Sequence, residues 1–167
     1  MIVIADTTPL NYLVLIGRAD LLPQLFGPVL IPPAVFNELR QPETSELVRD
    51  WVANAPAWLQ VQSLRSRPDP SLDHLDLGER EAIALAEEVK ADQLLIDEAD
   101  ARREAARRNL AFMGTLGVLR IAARLDLIDL PSDLARLQQT TFYVDPELIH
   151  SLLEEDAARK KPGSFSS

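Results

Sequence analysis

Cysteine is absent from this 167-residue sequence, which excludes disulfides, thiolate zinc sites and a cysteine nucleophile and is compatible with a reducing compartment. The two histidines, His74 and His150, offer little to zinc. Long apolar runs are missing too: none approaches the roughly 20 residues that a membrane span requires. No basic region precedes the first short apolar run, unlike a signal peptide, so a soluble cytoplasmic protein with no membrane partner is expected. Neither a Gly-x-Gly-x-x-Gly pattern nor a phosphate-loop Gly-Lys-Ser/Thr occurs, which leaves dinucleotide and nucleoside-triphosphate folds without support. Positive charge is scarce, with 17 Lys+Arg against 26 Asp+Glu and a net charge of −9. Such a balance ordinarily argues against nucleic acid, whose phosphates favour basic partners. It does not decide the matter here. Acids gathered in a pocket can be neutralised by metal, and Arg102, Arg103, Arg107 and Arg108 crowd one short stretch.

What the sequence does hold is an alternation of short apolar runs and helical patterns. At 47% hydrophobic residues it is long enough for one domain with a sizeable core, expected over 1–158. Residues 2–5, 29–31, 58–61 and 94–96 read as strands, with a brief apolar piece at 110–113. Helical patterns cover 9–16, 20–26, a segment starting at Pro32-Pro33, then 45–54, 77–89, 99–108, 115–125, 131–138 and 146–156. The last of these has Asp145 as N-cap and Pro146 at its first position. Residues 63–73 read as a loop, and 159–167 as a disordered tail. Strands alternating with helices imply an α/β fold with a central parallel sheet.

Four carboxylates stand where charge brings a structural protein little. Asp6 and Asp97 end the runs 2–5 and 94–96, and in open α/β sheets chemistry gathers just beyond the carboxyl ends of the strands. Glu79 opens a helix with Ala82, Ile83 and Ala86 at i+3, i+4 and i+7, on the inward stripe. Glu38 shares a face with Ala34 and Val35. Oxygen-only ligation by such a set suits Mg²⁺ or Mn²⁺. Simpler readings stand beside each residue. Asp6 and Asp97 could cap the helices that follow them, Glu38 could be an exposed helix residue, and Glu79 could be a favourable charge at a helix N-terminus. The arginine run could form ion pairs with Glu104 or meet an RNA backbone through Arg102, Arg103 and Arg107. Trp51 and Trp58 could stack on bases or pack in the core.

The order of these residues resembles the PIN-domain nucleases, and in particular short prokaryotic PIN-like proteins related to the VapC-type toxins. The matching segments are Ile2 to Leu10, Pro32 to Leu39, Leu77 to Ile83, Leu94 to Glu98 and Gly114 to Leu119, so the resemblance is strongest over 1–125. It implies a three-layer α/β/α fold with acids clustered at one end of the sheet, binding Mg²⁺ or Mn²⁺ for endoribonuclease activity. Carried over residue by residue, the catalytic and metal-binding acids are Asp6, Glu38, Glu79 and Asp97, supported by Thr7 or Thr8 and by Thr115. The run Asp97-Glu98-Ala99-Asp100 departs from the family pattern, so Asp100 could replace or assist Asp97. The third acid is Glu79 where the family often has Asp. A small antitoxin and a homodimer are the partners the resemblance implies. Two alternatives remain: a catalytically silent module that binds protein or RNA, and a phosphohydrolase using Asp6 as nucleophile, in which Thr8 stands where a second Asp is needed.

Overall fold

Val3, Ile4 and Ala5 are wholly buried and form the first strand, β1 (Val3–Ala5). Ile2 lies outside it, 39% exposed, with its amide donating to the Asp92 carboxylate at 2.6 Å. The computed structural model describes residues 1–161, which follow as α1 (Thr7–Leu15), α2 (Leu21–Phe26), β2 (Val29–Ile31), α3 (Pro33–Leu39), α4 (Glu46–Ala53), β3 (Leu59–Val61), a 3-10 turn (Pro70–Leu72), α5 (Leu77–Glu88), β4 (Gln93–Leu95), α6 (Ala99–Arg107), β5 (Phe112–Met113), α7 (Thr115–Arg124), α8 (Leu130–Gln138) and α9 (Pro146–Lys160). The 3-10 turn falls within the expected loop. There the Asp69 carboxylate accepts from the Ser71 amide, and Leu72 is fully buried.

The five strands pair in the order β3-β2-β1-β4-β5, all parallel. This is the helix-flanked parallel sheet expected from the sequence. Short, β-branched runs suit strands covered on both faces. One core cluster joins Ile4, Leu94 and Ile96 to Ala82, Ile83, Leu85 and Ala86 of α5 and to Ala101 and Ala105 of α6. Small alanines let α5 and α6 approach the strands closely, and each fully buried Leu or Ile contributes about 1.5–3 kcal/mol. The strand order reverses direction between β1 and β4, so the carboxyl ends of these two strands form the topological switch point.

The chain forms two compact units, residues 1–115 and the residues from Leu116 onward. The first holds the whole sheet. In the second, α8 packs against α9, and Glu155 pairs with both Arg120 and Arg124, at 2.9 and 2.6 Å. Helix α9 runs through Arg159 and Lys160, past the expected start of a disordered tail. Both cations bond Asp156 one turn back, at 3.1 and 2.8 Å, which extends the last turn and favours the helix C-terminus. The remainder of that expected tail, from 162, lies outside the described residues. No described helix is long and apolar enough to cross a membrane.

Candidate metal centre at the switch point

Asp6 follows β1 directly, and its amide donates to the Leu95 carbonyl of β4 at 2.9 Å. The register Ala5↔Leu95 therefore sets Asp6 and Asp97 beyond the ends of neighbouring strands. Asp6 occupies the N-cap position of α1 in extended conformation, yet its side chain makes no capping hydrogen bond. It is only 3% exposed, and its Oδ1 is buried without any hydrogen-bond partner. Buried carboxylate oxygens normally find donors, so an orphan invites a cation or a proton. Burial holds the Asp6 carboxyl well above its ordinary range. The Thr7 backbone amide opposes the rise, while the charges of Asp76, Glu79 and Glu38 add to it.

Glu38 reaches the same region from α3. Its Oε2 accepts from the Thr7 hydroxyl and its Oε1 from the Gly78 amide at 3.0 Å. The second contact seats the carboxylate on the N-terminal turn of α5, where the helix dipole favours negative charge. The two helices are tied once more where the Glu81 carboxylate accepts from the Ala34 amide at 2.9 Å. Burial raises the Glu38 pKa. The Thr7 hydroxyl and Gly78 amide lower it, and Asp76 and Glu81 raise it. Glu38 is thus half-buried and bonded, in contrast to an ordinary exposed helix residue.

Glu79 sits at the third position of α5 in a complete capping box. Its amide donates to Asp76 Oδ1 at 2.9 Å, and its Oε1 accepts from the Asp76 amide at 3.2 Å. The helix-terminus reading of Glu79 therefore holds, and the same residue also faces the acidic cluster. Burial first, then the charge of Asp76, lifts its pKa to about 7, with Glu98 and Glu38 contributing and the Asp76 amide opposing.

Asp97 takes a private pair of donors. The Thr115 amide bonds Oδ1 and the Thr115 hydroxyl bonds Oδ2, both at 2.8 Å. Sheet register explains this: Leu95, the last residue of β4, pairs with Met113, so Thr115, fully buried, arrives beside Asp97 two residues further on. Burial raises the Asp97 pKa against the pull of Thr115 and of Arg102. Asp97 does not cap α6: Glu98 occupies its N-cap position, and makes no side-chain capping hydrogen bond there. Asp100 stands exposed in the first turn of α6 and forms a surface ion pair with Arg103.

The arginine run divides. Arg107 and Arg108 both bond the buried Glu104, as the sequence allowed, and Arg108 also reaches Glu87 and Ser71. Arg102 lies 5.2 Å from the Phe112 ring centroid and is the cation that acts on Asp97. Trp51 and Trp58 pack against each other in a tilted arrangement, 5.8 Å between centroids and 53° between ring planes. Thr8 lines an open cleft with Thr7, Asn11, Tyr12, Glu38, Gln41 and Thr44. Sequence reasoning missed Asp76, a charge acting on Asp6, Glu38 and Glu79 alike. The pattern Asp76-Leu77-Gly78-Glu79 was its available signal, being a capping box one position ahead of the helix.

Among the described residues, no three or more Asp, Glu or His side chains are grouped so that they could hold a metal ion as they stand. Glu38, Glu79 and Asp97 each rest on protein donors. The donor set nonetheless fits a hard divalent cation. It is all oxygen, mutually repulsive, and includes a buried carboxylate oxygen without a partner.

An open parallel α/β domain with carboxylates at its switch point is the class this geometry defines. The PIN-domain family DUF3368 matches residues 2–157, and the chain belongs to it. PIN domains are generally nucleases that bind nucleic acid and typically use divalent metals. Among solved structures, the chain is similar to a PilT N-terminus domain protein from the hyperthermophilic archaeon Sulfolobus solfataricus P2. That match has 12% identity and a TM-score of 0.49, over 87% of this chain and 100% of the other. No curated protein matches the chain.

Proposed function

We propose that the chain is a Mg²⁺- or Mn²⁺-dependent endoribonuclease whose metal is held by Asp6, Glu38, Glu79 and Asp97. The observation that carries this reading is the buried, unpartnered Oδ1 of Asp6 at the switch point. Bound divalent ions would supply an activated water and stabilise the leaving oxygen of a phosphodiester. The chain's own groups do the rest. The Thr7 hydroxyl and Gly78 amide orient Glu38, and Thr115 orients Asp97. Glu79, with its pKa near 7 and Oε1 taken by the Asp76 amide, is suited to hold or release a proton on Oε2. Arg102, beside Asp97, is the arginine suited to meet an RNA phosphate.

The test is cleavage of a panel of RNAs with Mg²⁺ or Mn²⁺ by the wild type and by Asp6→Asn. Wild-type cleavage that the variant lacks is expected; an inert wild type, or equal cleavage by the variant, refutes the reading. Absence of Mn²⁺ binding at millimolar concentration by calorimetry would point instead to a silent PIN-like module. The proposal extends to a toxin of a toxin–antitoxin pair acting as a homodimer. A neighbouring gene for a small DNA-binding protein that inhibits cleavage, and a dimer mass in solution, are the results that support this extension.

A further inference from the structure

We infer that Gly78 and Gly114 are positioning residues, each keeping open the space in which one site carboxylate docks on backbone amides. The inference rests on the metal-site reading above and concerns how that site is held in shape.

The two glycines share one geometry. A Cβ built on Gly78 would lie 2.7 Å from Glu38 Oε1 and 2.8 Å from Glu38 Cδ, closer than real Cβ atoms approach. At Gly114 it would strike Asp97 Oδ1 and lie 3.4 Å from Asp97 Cγ. In both places the obstructed group is the carboxylate itself. Backbone conformation does not explain either glycine, because neither has a positive φ, in contrast to Gly17 and Gly27. Gly78 lies in the first turn of α5, where glycine is a poorer helix residue than alanine. The missing side chain therefore costs helix stability and provides room. The Glu38 carboxylate uses that room to reach the Gly78 amide at 3.0 Å, and Asp97 uses it to reach the Thr115 amide at 2.8 Å.

The consequence is a separation of stability from ligand placement. With alanine at 78 the long Glu38 side chain swings away, while α5 keeps its capping box and gains a better helix former. At 114 Asp97 has less freedom, being short and held twice by Thr115.

Calorimetric titration of the full chain with Mn²⁺, alongside thermal melts in chelator, tests this. Gly78→Ala is expected to melt at or above the wild-type temperature and to bind Mn²⁺ at least tenfold more weakly, the scale seen when groups supporting metal ligands are lost. Shortening the obstructed acid should restore room. The combination Gly78→Ala with Glu38→Asp is expected to bind at least threefold better than the product of the two single losses predicts. Gly114→Ala is expected to weaken Mn²⁺ at least tenfold as well. Unchanged affinity in Gly78→Ala, a lower melting temperature in that variant, or strictly multiplicative losses in the combination overturns the inference and leaves the metal site standing. A wild type that takes up no Mn²⁺ overturns the metal-site reading itself, and this inference with it.

Discussion

Replacing Glu79 by glutamine separates charge from helix capping at one position. Glutamine preserves the capping box, because its side-chain oxygen still accepts from the Asp76 amide, and only the ionisation is lost. Burial and the Asp76 charge raise the Glu79 pKa from 4.5 to about 7. The sign follows from linkage. Below about pH 4.5 the carboxyl is protonated in folded and unfolded chains alike, and the contribution to stability is fully present. Between 4.5 and 7 the unfolded chain releases its proton first, so stability falls as pH rises, and above about 7 the loss is complete. A rise from 4.5 to about 7 corresponds, at about 1.4 kcal/mol per pH unit, to an upper limit of about 3.5 kcal/mol. The carboxylate is only 6% exposed, but Asp6 and Glu38, whose pKa values are also raised, share its proton uptake, which brings the expected effect to about 1–2 kcal/mol. For a chain of this length that is a shift of about 2–8 °C in melting temperature. Thermal melts in chelator should therefore show Glu79→Gln more stable than wild type at pH 8 and equal to it at pH 4. Mn²⁺ should reverse the order at pH 8 by stabilising only the protein that binds it. Parallel melting curves for the two proteins from pH 4 to 8.5 would refute the electrostatic reasoning.

Two further outcomes follow from the same contacts. Thr115→Val keeps the amide bond to Asp97 and removes the hydroxyl bond to Oδ2; it should lower stability by about 1–3 kcal/mol in urea unfolding and weaken Mn²⁺ in calorimetry, and unchanged values in both would remove Thr115 from the site. Leu94→Ala, at a wholly buried position of the strand beside β1, should cost about 2–5 kcal/mol in the same unfolding assay, whereas a loss below 1 kcal/mol would contradict the packing described for that strand.

The parallel sheet was readable in the sequence because its strands are short, β-branched and separated by helical stripes, all of them local signals. Asp6 and Glu79 were readable for similar reasons, one ending a strand and the other opening a strongly patterned helix. Glu38 was reached through the family resemblance, not through a local signal. Its burial depends on α3 lying along α5, which brings together residues forty positions apart, 38 and 78, and no local pattern encodes that distance. The different surroundings of Asp97 and Asp100 were hidden for a related reason. Both stand at the start of α6, and only the pairing of β4 with β5 brings Thr115 to the first of them. Asp76 carried a visible capping motif, but its electrostatic role emerges only when α3 and β1 close around the same helix end. The tail was misjudged at Arg159 and Lys160, where the acid holding both, Asp156, lay inside the preceding helical pattern.

The hydrogen bonds made by the site acids bear on how one pocket can be both folded and chemically available. An ionised carboxylate offers about four acceptor positions. Asp97 spends two on Thr115, Glu38 spends two on Thr7 and Gly78, and Glu79 spends one on the Asp76 amide. Each is fixed in direction yet retains lone pairs, the arrangement by which donors behind a ligand orient it without consuming it. Asp6 differs, since nothing bonds its Oδ1 and three neighbouring acids oppose its ionisation. A cation entering the cluster relieves that repulsion and supplies the missing partner at once, so its favourable energy concentrates on the least supported residue. For this reason Asp6→Asn is, under the proposed metal site, the substitution with opposite expected effects on the two properties: it relieves the metal-free fold of a poorly solvated acid and removes the carboxylate on which the proposed ion binding would most depend.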